Sequence, residues 1–128
     1  MPRLLEYGEA APEAQAVFDE IKAARGIEDV NNFWKALAVD PPLLRRTWDS
    51  LRAVMAPGAI DPVVKEMLYL AVSMTSGCAY CTASHTAAAR AKGMTEAQYG
   101  ELLAVVGMAA ETNRLAEALR VPVDPQFD

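Results

Sequence analysis

The stretch that decides the fold is Asp61–Gly93, DPVVKEMLYLAVSMTSGCAYCTASHTAAARAKG. Asp61-Pro62 is a helix-start signal: an aspartate able to cap the first turn, then a proline whose fixed φ suits the first helical position. The apolar stripe Val63, Met67, Leu70 and Met74 follows at helical spacing. Thr75, Ser76 and Gly77 interrupt it, and a second helix is expected from about Cys78 to Lys92, with Gly93 as its left-handed cap.

The same punctuation extends outward in both directions. Pro12 opens a helix with the stripe Ala14, Val17, Phe18 and Ile21, closed by Gly26. Asn31 or Asn32 caps a short helix through Phe33, Trp34 and Leu37. Asp40-Pro41 repeats the Asp-Pro start and leads through Leu43, Leu44, Thr47, Trp48, Leu51 and Val54 to a Pro57-Gly58 turn. Beyond Gly93, Thr95 with Gln98 makes a capping box before Leu102, Leu103, Val105 and Val106. Gly107 is expected to kink that helix before a last stretch through Leu115 and Leu119. The tail from Val121, with Pro122 and Pro125, is expected to be extended. No segment alternates like a strand and no Asn-Gly or Asp-Gly hairpin turn occurs, so the expectation is an all-α bundle. No linker divides the 128 residues, which read as a single domain over 1–128 with its central segment at 61–93.

Composition removes several function classes. The net charge is −5 and no Lys/Arg block is present, so no nucleic-acid partner is expected. The opening MPRLLEYGEAAPEAQ lacks an apolar signal-peptide core, and the longest apolar run, within Met67–Met74, is too short to span a membrane. A cytoplasmic location is therefore expected, where a purely structural disulfide is disfavoured and the two cysteines need another explanation.

Both cysteines and the lone histidine fall within Cys78–His85. At about 100° per residue, Cys78, Cys81 and His85 share an arc of about 60° on one helix face. A thiol has a free pKa of about 8.5 and needs help to ionise at neutral pH. An imidazole one turn away can take the proton, and the first-turn amides of the helix favour the anion. The Cys-x-x-Cys spacing also allows the two sulfurs to close a disulfide. Small buried cysteines beside an ordinary histidine are the bland alternative, which the clustering disfavours. A structural zinc site would have three soft ligands, with Glu66 or water as the fourth, where four Cys/His ligands are usual. Glu66 is a second anomaly, a carboxylate on an apolar stripe, where it is costly unless paired or used. It can meet the thiols only if the chain folds back at Thr75-Ser76-Gly77.

Glu66, Cys78-Ala79-Tyr80-Cys81 and His85, at these spacings, resemble the AhpD-like alkylhydroperoxidases of the carboxymuconolactone decarboxylase superfamily. The match is strongest over Asp61–Gly93 and extends more weakly from about Asn32 to about Val106. The resemblance implies an AhpD-like helical bundle that forms homo-oligomers, often trimers or hexamers. It implies a thiol-dependent peroxidase in which Cys81 attacks peroxide and Cys78 resolves the sulfenic acid to a Cys78–Cys81 disulfide. Glu66 and His85 would relay the Cys81 proton. Tyr80 stands where the best-known members carry a histidine with a part in catalysis. No metal, haem or flavin cofactor is implied. Electrons would come from an external dithiol reductant, such as a lipoyl adaptor or a thioredoxin-like protein. Two rivals remain: a decarboxylase-like lyase, although such members typically lack the Cys pair, and a non-enzymatic redox sensor. An association surface is expected from Phe33, Trp34, Leu43, Leu44, Trp48 and the Leu102–Val106 run, if the bundle does not bury them all.

Overall fold

In the computed structural model, which describes residues 1–127, six α-helices and no strand are found among the described residues. They are α1 (Pro12–Arg25), α2 (Asn32–Leu37), α3 (Pro41–Met55), α4 (Pro62–Thr75), α5 (Ala79–Ala91) and α6 (Glu96–Leu119), with short 3₁₀ turns at Tyr7–Glu9 and Pro125–Phe127. The chain forms two compact units, Met1–Ala56 and Pro57–Asp128.

In the first unit α1 and α2 each pack on α3. Its core joins Ala14, Val17, Phe18 and Ile21 of α1 to Trp34, Leu44 and Trp48. The rings of Trp34 and Trp48 meet edge to face, 5.6 Å between centroids, and Arg25 lies over both. Lys35 is buried too, its ammonium bonded to Glu6 (2.8 Å) and Asp29 (2.7 Å). Trp34 is only 2% exposed, so Trp34→Ala is expected to cost about 3–5 kcal/mol, because the neighbours cannot close a cavity of that size. Denaturant unfolding followed by helical circular dichroism measures this; a midpoint within error of the parent would show that the site collapses freely.

The second unit packs α5 and α6 against α4 around Leu70, Ala89, Met94 and Leu102. The Asp-Pro openings act as expected: Asp40 accepts the Leu43 amide and Asp61 accepts the Val63 amide. Thr95 and Gln98 form the reciprocal capping box. The C-terminal ends of α4 and α5 are set by the same device. At Gly77 (φ 72°) the Cys78 amide bonds Ser73 O and the Gly77 amide bonds Met74 O. At Gly93 (φ 104°) the Met94 amide bonds Ala89 O and the Gly93 amide bonds Arg90 O. Each pair satisfies the last carbonyls of a helix, and each needs one left-handed residue, which glycine adopts without steric penalty.

Three expectations are corrected. Helix α6 runs unbroken through Gly107 for 24 residues, since the destabilisation from one helical glycine, about 1 kcal/mol, does not outweigh so long a hydrogen-bonded ladder. The tail is not wholly extended, because Pro125–Phe127 turn into a 3₁₀ helix. Trp34, Leu44, Trp48 and Leu102 are buried within their own units and offer no association surface. Phe33 and, from the expected run, Leu103 and Val105 are exposed, and further exposed apolar side chains include Leu68 and Val72 of α4 and Met108, Leu115 and Leu119 of α6.

Candidate active site

Cys78 does two jobs at the reversal between α4 and α5. Its amide completes the Gly77 cap, and it is itself the N-cap of α5, with Sγ accepting the Cys81 amide at 3.2 Å. The two sulfurs are joined as a Cys78–Cys81 disulfide across a Cα separation of 5.3 Å. The pair sits at the N-terminal end of α5, where unpaired amides create a positive potential that favours a thiolate once the bond is reduced.

The reversal lays α5 back along α4, and this brings the buried glutamate to the histidine. Glu66 is 4% exposed. Its Oε2 lies 2.8 Å from His85 Nδ1, and its Oε1 accepts from Lys92 Nζ at 2.5 Å. Burial pushes the Glu66 carboxyl up, but the hydrogen bonds and charges of His85 and Lys92 together outweigh it and hold the carboxyl below its usual range. An ionised carboxylate can only accept, so Nδ1 carries the proton and Nε2 of the neutral ring is left as the basic nitrogen. Tyr69, one turn on from Glu66 along α4, stacks on the imidazole with 3.5 Å between centroids and 18° between planes, fixing the ring's plane.

Four of the five residues singled out from the sequence thus form two linked pairs, Cys78 with Cys81 and Glu66 with His85, while Tyr80 lies on the first turn of α5 and is 44% exposed. Sequence reading missed Lys92 and Tyr69. Lys92 had a signal: it follows His85 by seven residues, two helical turns, and so shares its face. Tyr69 has the three-residue spacing from Glu66 that makes helical neighbours, but nothing in the sequence says which helix it will face.

The profile of the Carboxymuconolactone decarboxylase family matches residues 41–124. The chain belongs to this family. Within it, the chain is 34% identical over 131 residues to the alkyl hydroperoxide reductase AhpD of Solibacter usitatus, covering 97% of this chain and 72% of the relative. It is also similar to the crystal structure of the alkylhydroperoxidase AhpD core from Rhodospirillum rubrum. That match has a TM-score of 0.95 at 55% identity, over 99% of this chain and 96% of that one. The all-α fold expected from the sequence is thus the fold of a solved family member. Among the described residues, no helix is long and apolar enough to cross a membrane.

Proposed function

We propose that the protein is a thiol-dependent peroxidase that reduces organic hydroperoxides or hydrogen peroxide through the Cys78/Cys81 dithiol. The observation that carries this reading is the redox-capable Cys78–Cys81 pair at a helix start, with His85, held through Nδ1 by Glu66, one turn beyond Cys81. The AhpD names of the relatives at 34% and 55% identity support it. His85 takes the Cys81 proton through Nε2, and Glu66 stabilises the resulting imidazolium. The Cys81 thiolate attacks the terminal peroxide oxygen. The O–O bond breaks, the alcohol leaves with a proton, and Cys81 becomes a sulfenic acid. Cys78 then attacks the Cys81 sulfur, expelling water and closing the disulfide. An external dithiol returns both cysteines to thiols and is itself oxidised, so each cycle converts one hydroperoxide and one dithiol to an alcohol, water and a disulfide.

Exposed Tyr80 stands next to the attacking sulfur in sequence and supplies a phenol to the solvent side of the first turn. The reductant is a cytoplasmic lipoyl adaptor or thioredoxin-like protein. The apolar residues exposed on α6 are those that a homo-oligomer, a trimer or hexamer, would cover. After one equivalent of peroxide, the reduced protein is expected to lose both free thiols and two mass units, with peptide mapping placing the bond between Cys78 and Cys81. Stable over-oxidised Cys81 beside a free Cys78 would remove the resolving role.

A further inference from the structure

We propose that Lys92 is a positioning residue of this site: by occupying Oε1 of Glu66 it keeps the carboxylate charged and commits Oε2 to His85, which locks the imidazole in the tautomer that can accept a proton. The inference rests on the reading of His85 as the base for Cys81.

The buried carboxylate has one partner on each oxygen, His85 on α5 and Lys92 at the C-cap of that helix. The Glu66 side chain is 5% exposed, whereas that of Lys92 is 40% exposed, so the lysine reaches inward from the protein surface at the C-terminal end of the helix. A carboxylate so removed from water tends toward its neutral form unless opposite charge is close. A neutral Glu66 would not be a silent loss. Its O–H could donate to Nδ1, the ring proton would then sit on Nε2, and His85 would lose its free basic nitrogen. The Lys92 ammonium opposes that state directly.

The other groups around the pair do not take its place. On α4, Tyr69 stacks on the ring, and Lys65 precedes Glu66 but points about 100° away around the helix. On α5, Arg90 is engaged with Glu96 at 2.9 and 3.3 Å, and the cysteines lie toward the opposite end. From α6, Tyr99 packs on the core of this unit and lies under the Arg90 guanidinium.

His85 is the only histidine, so its ring signals are unambiguous in nitrogen-15 spectra of the full reduced chain. Spectra and the pH profile of Cys81 alkylation by iodoacetamide are compared for the parent, Lys92→Gln and Lys92→Arg. In Lys92→Gln the ring is expected to shift toward the Nε2–H tautomer. The acid limb of alkylation moves to higher pH, with the rate at pH about 6 falling on the order of tenfold and the high-pH rate retained. Lys92→Arg, which keeps the charge, restores both. A parent-like tautomer and profile in folded Lys92→Gln overturns the proposal, as does Lys92→Arg behaving like Lys92→Gln. If the parent turns over no hydroperoxide with any dithiol, the peroxidase reading falls, while the tautomer and alkylation results still decide the role of Lys92.

Discussion

Cys81→Ser is expected to abolish hydroperoxide turnover, by at least about three orders of magnitude in kcat/KM, while leaving the fold intact. A serine hydroxyl at neutral pH carries no useful fraction of anion and cannot store the oxygen as a sulfenic acid, so both the attack and the covalent intermediate are lost. The side chain is partly buried and the change removes little volume, so helix content and unfolding midpoint should stay near those of the parent. Cys78→Ser should behave differently. Its first turnover proceeds, but the sulfenic acid at Cys81 has no neighbouring thiol to condense with, and the enzyme is driven toward irreversible sulfinic acid. Peroxide consumption with a panel of dithiols, in steady state and in a single turnover, separates the two. Activity surviving the loss of both cysteines would instead favour lyase chemistry. A disulfide that forms with oxidant but turns over with no reductant would favour a sensor.

The helix boundaries were legible because they are written in local chemistry: Asp-Pro starts at Asp40 and Asp61, the Thr95/Gln98 box, and glycines at the reversals. The dithiol was legible for the same reason, since a spacing of three residues at a helix start fixes the sulfurs' separation whatever packs around them. What depends on two helices meeting was less so. Glu66 announced itself as a carboxylate on an apolar stripe, but its partners lie 19 and 26 residues away in sequence. His85 could be paired with it only by assuming that the chain folds back. Lys92, the exposed C-cap residue of α5, shares the face of His85 by its seven-residue spacing, but that spacing alone does not mark it as the second partner, because a lysine there is equally suited to the helix dipole. The burial of Trp34 and Trp48 was hidden for a related reason. Large aromatic residues read as surplus for so small a unit, yet it buries Trp34 and Trp48 by packing them edge to face against each other.

His85→Ala should lower the rate of Cys81 alkylation and of peroxide turnover near neutral pH by about 10²–10⁴-fold, the range over which a positioned acid–base group contributes. Glu66→Gln should cost less, on the order of 10–100-fold, because the imidazole remains but is neither held in its tautomer nor stabilised as a cation. The two losses should not add: once the ring is gone the carboxylate has nothing to orient, so the double variant should resemble His85→Ala alone. Removing Glu66 leaves Lys92 free to extend into water, since it is already 40% exposed, and an amide can still accept from or donate to Nδ1, so the fold should persist. The pH dependence has a definite sign. Because the Glu66 carboxyl is held below its ordinary value of 4.5, its stabilising contacts are complete above that value and are lost as pH falls through the lowered one. Glu66→Gln should therefore remove part of the acid sensitivity of unfolding while weakening catalysis at neutral pH. Alkylation rates from pH about 5 to 9, with unfolding midpoints over the acid range, test both halves. Alkylation profiles unchanged in His85→Ala and Glu66→Gln would take the relay out of the mechanism and leave the helix N-terminus as the source of thiolate stabilisation.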